Sequence, residues 1–248
     1  MSTIKVNPLG KTALISGANR GIGRAIAIEL LENGIKKVYA GARNVTTLKE
    51  LKSEYGDRLV PVQLDVTDLV SIREAASQID ELDILVNNAG VFSIGKIFSD
   101  QAESSLKENL DVNVWGLINL TRAVQDLLSK KEETSIINIS SLAGLANMPM
   151  AATYSISKAA VHSITQGMRA ELVESNTLVM GVYPGPIDTD MAASLEMEKD
   201  SPENVAKTIV SGLIEGTEDI YPDVMSKQAG EFYATSPKGV EQQFATFA

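Results

Sequence analysis

Short apolar runs alternate along this chain with longer stretches in which apolar residues recur every three or four positions. A run bounded by glycine or charge reads as a buried strand, and the longer recurrence reads as an amphipathic helix. Strands are therefore predicted at residues 12–16, 38–41, 59–63, 84–86, 136–140 and 178–182, with a short last one at 220–221. Helices are predicted at 22–31, 46–55, 69–79, 101–128, 153–173 and 203–213. Such alternation implies right-handed crossovers and an α/β fold: a doubly wound parallel sheet of about seven strands with helices on both faces. No Pro/Ser-rich linker, low-complexity tract or repeat interrupts it, so residues 1–248 are expected to form one domain. The tail, 223–248, is only weakly periodic. It carries Phe232, Tyr233, Phe244 and Phe247 and is expected to pack against the body or a partner subunit.

Composition narrows the chemistry by exclusion. Cysteine is absent, which removes disulfides, thiolate metal sites and a cysteine nucleophile. His162 is the single histidine, so neither a zinc site nor a Ser-His-Asp triad is expected, and His162 itself reads as a structural helix residue. Asp188 and Asp190 sit in a turn without a matching cluster, and no metal is expected there. The formal net charge of −10 lacks the basic footprint of nucleic-acid binding and reads as solubility. Residues 1–10 contain one lysine and no apolar signal core, and no stretch is long enough to span a bilayer. A cytoplasmic protein is the expectation.

The first candidate chemistry lies between the first strand and the first helix, in Ser16-Gly17-Ala18-Asn19-Arg20-Gly21-Ile22-Gly23. Glycines let backbone N–H groups approach a pyrophosphate, and the helix N-terminus adds its positive dipole end. The spacing is G-x-x-x-G-x-G, not the general dinucleotide fingerprint G-x-G-x-x-G, but its place in a βαβ unit gives it meaning. A carboxylate at the end of the second strand would accept from the ribose 2′-hydroxyl of NAD, whereas arginine accommodates the 2′-phosphate of NADP. Here Gly41-Ala42-Arg43-Asn44 holds no acid, and Arg20 in the turn could reach the same phosphate. Two guanidiniums predict NADP(H), because arginine makes forked, charge-assisted bonds to phosphate.

Tyr154-Ser155-Ile156-Ser157-Lys158 opens a predicted long helix, which makes Tyr154 and Lys158 neighbours on one face. A phenol of reference pKa near ~10 is a weak acid, and a nearby ammonium is expected to lower it toward useful acid/base chemistry. Y-x-x-x-K alone is common by chance. Two polar clusters give it company: Asn87-Asn88-Ala89-Gly90 and Asn138-Ile139-Ser140-Ser141 each close a predicted strand. Ligands of open α/β sheets bind outside the carboxyl ends of strands, so both clusters are expected to aim at the crevice that holds the glycine turn.

Together these residues resemble the short-chain dehydrogenase/reductase family in its single-domain, Rossmann-like form, over residues 11–221. The set in order is Ser16 to Gly23, Asp65-Val66, Asn87 to Gly90, Asn113, Ser141, Tyr154, Lys158 and Pro184-Gly185. Ser16 departs from the usual threonine but keeps the hydroxyl. The resemblance implies that Tyr154 exchanges a proton with the carbonyl or alcohol oxygen and that Ser141 hydrogen-bonds the same oxygen. It implies that Lys158 tunes Tyr154 and holds the nicotinamide ribose, and that Asn113 anchors a water beside Lys158. Ser140 is the rival for the serine role, but the 13-residue step from Ser141 to Tyr154 fits the family better. Gly17, Asn19, Arg20, Gly21, Ile22, Gly23 and Arg43 would hold the phosphates and Asp65-Val66 the adenine. Asn88, Ala89, Gly90, Pro184, Gly185, Ile187 and Thr189 would complete the cofactor site.

The implied activity is hydride transfer between NADP(H) and a small carbonyl/alcohol pair, as a carbonyl reductase or alcohol dehydrogenase. Within enzymes, a 3-oxoacyl-thioester reductase or hydroxysteroid-type dehydrogenase is an alternative. From another class, the rival is a redox-sensing regulator that binds NADP(H) without turnover, although a pure sensor need not keep the acid. Relatives pair through two long helices, here 101–128 and 153–173, so a homodimer or homotetramer is implied. Met148, Met150, Met191 and Met197 flank the expected substrate pocket, with Phe92 and Ile94 nearby and a short loop at 186–201. Methionine adapts to irregular apolar ligands, and it also fills cores.

Overall fold

A computed structural model describes residues 4–247. Its strands are β1 (Thr12–Ser16), β2 (Lys37–Ala42), β3 (Leu59–Gln63), β4 (Ile84–Asn87), β5 (Thr134–Ile139), β6 (Thr177–Val182) and β7 (Asp219–Ile220). They pair in parallel in the order β3-β2-β1-β4-β5-β6-β7. The Rossmann-like doubly wound sheet read from the sequence is what forms. Every residue of β1, β4 and β5 is buried, as expected for central strands covered on both faces.

Alternate side chains feed two layers. Ile15, Val86 and Ile137 join Ile26 and Leu30 of α1 (Gly21–Glu32) and Val205 and Ile209 of α7 (Pro202–Glu215). Leu14, Leu85 and Ile136 face the other way, onto Ile72 of α3 (Leu69–Ser77) and Leu120 and Val124 of α5 (Leu117–Leu128). The order reverses between β1 and β4, the position at which crossovers leave to opposite faces and open a crevice. Among the described residues no helix is long and apolar enough to cross a membrane.

Three expectations are corrected. The helix expected as one rod over 101–128 is α4 (Ala102–Asn109), a π-helical stretch Leu110–Gly116, and α5. The reason is local: Asn109 and Asn113 turn onto the loop after β4, where their Oδ1 atoms accept from the Ser93 and Val91 amides at 3.1 and 2.8 Å. A π turn shifts the apolar stripe by about one residue but leaves the run helical, so the periodicity does not separate it from one rod. The helix expected from residue 46 begins as a 3₁₀ turn, Val45–Leu48, capped by the Asn44 side chain, before α2 (Lys49–Tyr55). The long helix α6 spans Ala152–Glu171.

The weakly periodic tail forms two short helices, α8 (Val224–Thr235) and α9 (Pro237–Phe244), and packs on the body. Val240 and Phe244 bury themselves against Leu142, Leu145 and Tyr183. The helices start where their caps dictate. Asp223 accepts from the Ser226 amide in a capping box, and Ser236 accepts from Gly239 ahead of Pro237.

Candidate active site

A cavity of about 510 Å³ opens at the carboxyl ends of the central strands. All of the sequence-predicted site residues line it except Gly23 and Asn113. Gly23 lies behind the turn, where a Cβ would stand 2.3 Å from the Gly17 carbonyl oxygen; only glycine allows α1 to start so close to β1. Gly17 itself takes a φ of 67°, left-handed backbone that other residues adopt at a cost. Arg20 is the N-cap of α1 without capping with its side chain, and the first turn holds no acid. The first N–H groups of α1 therefore keep their capacity for an anion, and the turn fits a pyrophosphate.

Ser16 ties this turn to β4. Its hydroxyl accepts from the Asn88 and Ala89 amides, both at 3.0 Å, and donates to the Val86 carbonyl at 3.3 Å. Asn88 answers with its Nδ2, which donates to the carbonyls of Ser16 (2.9 Å) and Gly17 (3.1 Å). Serine in place of threonine thus retains the function that the hydroxyl has here.

At the far end, Ala42 is buried at the close of β2, and Arg43 is exposed at the cavity edge. Beside it, Asp65 accepts from the Thr67 amide (2.9 Å) and hydroxyl (2.7 Å). Partial burial works against ionisation of Asp65, but those bonds and the Arg43 guanidinium outweigh it and hold the carboxyl below its usual range. Arg20 reaches across the mouth to Asp190 of the 186–201 loop at 2.9 Å. Both side chains are exposed, and such pairs contribute about 0–1 kcal/mol, so a phosphate dianion competes easily for Arg20.

At the other end, Tyr154 and Lys158 project from the first turns of α6. The Phe92 ring meets Tyr154 edge-on, with centres 4.8 Å apart. The Lys158 Nζ stands 5.7 Å from the Tyr154 ring centre and donates to the Ile139 carbonyl at 2.8 Å. Burial pushes the Tyr154 phenol up to about 12, against a smaller lowering by the Ser141 hydroxyl. The same burial brings Lys158 down to about 8. The expected lowering of the phenol by the ammonium is therefore corrected: desolvation by burial raises it instead, and the Lys158 ammonium donates to a backbone carbonyl.

Ser141 accepts from the Ala143 amide at 3.2 Å and donates to the Pro184 carbonyl at 3.4 Å; these long bonds leave the hydroxyl free to turn toward a ligand. Ser140, the rival, is buried and spends its hydroxyl on the Lys158 carbonyl at 3.0 Å. Asn113 sits behind the site with its amide occupied, Nδ2 donating to the Val91 carbonyl (3.0 Å) and the Ser157 hydroxyl (2.9 Å). The β pleat splits the two polar clusters expected to face the crevice. Asn88 and Ser141 line it, while Asn87 and Asn138 point into the core and bond each other at 2.9 Å. His162 lies outside the cavity lining, with its Nδ1 2.7 Å from the Tyr183 hydroxyl.

Beyond Pro184, the Gly185 amide donates to Asp223 at 2.8 Å, which fixes the loop to the α8 cap. The four methionines and Phe92 line the cavity, whereas Ile94 lies on the surface. Lining residues missed by sequence reasoning include Asn44, Thr67, Met225 and Phe247. Thr67 had a signal in its spacing from Asp65; Met225 and Phe247 had none beyond the aromatic content of the tail.

Comparison with known proteins agrees with this geometry. A family model described as short chain dehydrogenase matches residues 11–200. The chain belongs to the short-chain dehydrogenase/reductase family, a class of oxidoreductases. It is 34% identical over 204 residues to "Oxidoreductase UcpA" of Salmonella typhimurium, covering 79% of this chain and 77% of that protein. It is 31% identical over 208 residues to an "NADP-dependent 3-hydroxy acid dehydrogenase" of Schizosaccharomyces pombe, covering 80% of each. A short chain dehydrogenase from Burkholderia cenocepacia, solved in complex with NADP, superposes with a TM-score of 0.90 at 30% identity over 97% of this chain and 99% of that one.

The Ser16 hydroxyl supports two backbone amides, so Ser16→Ala should cost about 1–3 kcal/mol of stability, the penalty for donors left without a partner. Ser16→Thr should be far milder. Urea unfolding with both variants measures this, and equal midpoints for Ser16→Ala and the parent would show that the hydroxyl does not hold the turn.

Proposed function

We propose that this chain is an NADP(H)-dependent carbonyl reductase or alcohol dehydrogenase in which Tyr154 is the acid and base. The observation that carries the reading is one cavity that holds Tyr154, Lys158 and Ser141 at one end and an uncapped glycine turn with two arginines at the other. NADP(H) fits that second end because no acid follows β2, and Arg43 and Arg20 stand where a 2′-phosphate would need charge. The NADP-bound Burkholderia structure and the NADP-dependent yeast relative support the same choice. NADP(H), when bound, supplies or takes up the hydride.

The protein's own part is proton transfer and orientation. With its phenol raised to about 12, Tyr154 keeps its proton at neutral pH and can donate it to a carbonyl oxygen that gains hydride. Ser141 donates to the same oxygen and stabilises the charge developing there. Lys158, brought near 8 by burial, is largely an ammonium at pH 7; its charge favours the phenolate that proton donation leaves on Tyr154, and it offers donors to a ribose hydroxyl. Asn113 holds the Val91 backbone and Ser157 in register beneath them.

Two measurements test the reading. NADPH consumption across ketones and aldehydes, with NADH in parallel, should show turnover with a preference for NADPH. In Arg43→Asp, kcat/KM with NADPH should fall about ten- to a hundredfold, as expected for a lost charge-assisted bond, and the preference should move toward NADH. Tight NADPH binding without turnover of any carbonyl would overturn the enzyme reading in favour of a sensor. The sign of the pH dependence follows from Lys158: its proton is present below about 8 and lost above it. The kcat/KM for reduction should hold at neutral pH and decline through about 8, while alcohol oxidation rises over the same interval. A reduction rate that climbs with pH would contradict this assignment.

A further inference from the structure

The substrate end of the cavity has a composition and a back wall that the proposed function does not explain. Met148 and Met150 precede Tyr154, Met191 and Met197 come from the 186–201 loop, and Met225 and Phe247 come from the C-terminal segment. The charged residues of the lining are placed elsewhere. Arg43 and Asp65 stand at the ends of β2 and β3, Arg20 pairs with Asp190, and Lys158 is fixed to the Ile139 carbonyl. Among the described residues, no cation therefore lies in the methionine-lined part to receive a substrate carboxylate. A carboxylate moved there from water would lose hydration without a partner.

The back wall is shared with a second hollow. A second cavity of about 290 Å³ lies between α8 and α9, lined by Gln228, Ala229, Phe232, Gln243 and Phe244. Met225 and Phe247 line both cavities. Neither is fully buried, and both have rotatable side chains. Phe247 is nevertheless positioned: its carbonyl accepts from the Met150 amide at 3.1 Å, and its ring packs edge-on against buried Phe244 at 5.8 Å. The partition is thus tied by its backbone to the turn before Tyr154, while the side chains that close it can move.

We propose that the substrate is an uncharged carbonyl compound with an elongated apolar tail, which passes Met225 and Phe247 toward the space between α8 and α9. This rests on the carbonyl reductase reading above. An acid group has no counter-charge in this part of the cavity, whereas an alkyl tail has a place to go. Flexible methionines suit such a tail, since they repack around an irregular apolar chain. Phe247 acts as the specificity-determining residue that sets the length accepted.

The test is NADPH consumption with methyl n-alkyl ketones from butanone upward, alongside oxo acids of matching length. Each added methylene buried should raise kcat/KM by about two- to fourfold, mainly through KM, and the oxo acids should be at least tenfold poorer than ketones of equal length. Phe247→Ala should extend the rise to longer chains, read as an increased ratio of kcat/KM for long over short ketones within the same variant. Met225→Ala should act in the same direction, and thermal melts confirm that both variants are folded. A flat chain-length series, oxo acids turned over as well as ketones, or variants that change short and long ketones alike would overturn the substrate assignment alone. Absence of turnover with every ketone and aldehyde would overturn the proposed function, and this inference with it.

Discussion

The geometry of the site depends on how the ends of β1 and β4 are joined. At the switch point two neighbouring strands send their chains to opposite faces, and their loops would otherwise diverge. A single hydroxyl, Ser16, accepts two amides from the β4 loop and donates to a third residue, and Asn88 returns two bonds to the β1 loop. These short polar links place the glycine turn against residues 88–90. They also set the close approach at Gly23 that brings the α1 N-terminus to the cavity. This end of the cavity is therefore built largely of backbone held in place by the Ser16 and Asn88 side chains.

The other end follows from burial. Tyr154 and Lys158 project from the start of a long helix into the cavity wall, and desolvation moves their proton affinities apart, up for the phenol to about 12 and down for the amine to about 8. In low-polarity surroundings each donor placed there, Ser141 and Lys158 included, counts for more than it would in water. The same apolar character continues into the methionine-rich region and out to the C-terminal helices. One physical property, low polarity, tunes the acid and shapes what it can act on.

Most of the sheet was legible because central parallel strands are apolar runs, and Leu14-Ile15 or Leu85-Val86 serve two layers at once. The site was legible where chemistry and spacing coincide: Tyr154 with Lys158, the glycines of the turn, and Ala42-Arg43 at the end of β2. What sequence hid has physical reasons. The π turn at Leu110–Gly116 shifts the apolar stripe by about one residue without interrupting the helical run, so the pattern still reads as one rod. Asn87 and Asn88 are identical neighbours, and only the pleat decides that one enters the core and the other the crevice. Met225 and Phe247 come to the pocket through tertiary packing of two short helices, which no local signal encodes. The phenol's raised proton affinity likewise comes from burial in the folded chain, which a four-residue spacing does not encode.

The central claim is that the Tyr154 phenol moves the proton, and it is tested most directly in Tyr154→Phe with cofactor binding and turnover measured on the same sample. The ring and its contact with Phe92 survive this change, so only the hydroxyl is lost. The account predicts NADPH affinity within a few-fold of the parent, with kcat for carbonyl reduction lower by about 10²–10⁴-fold, the usual contribution of a positioned general acid. Turnover within a few-fold of the parent, at unchanged NADPH affinity, would contradict it.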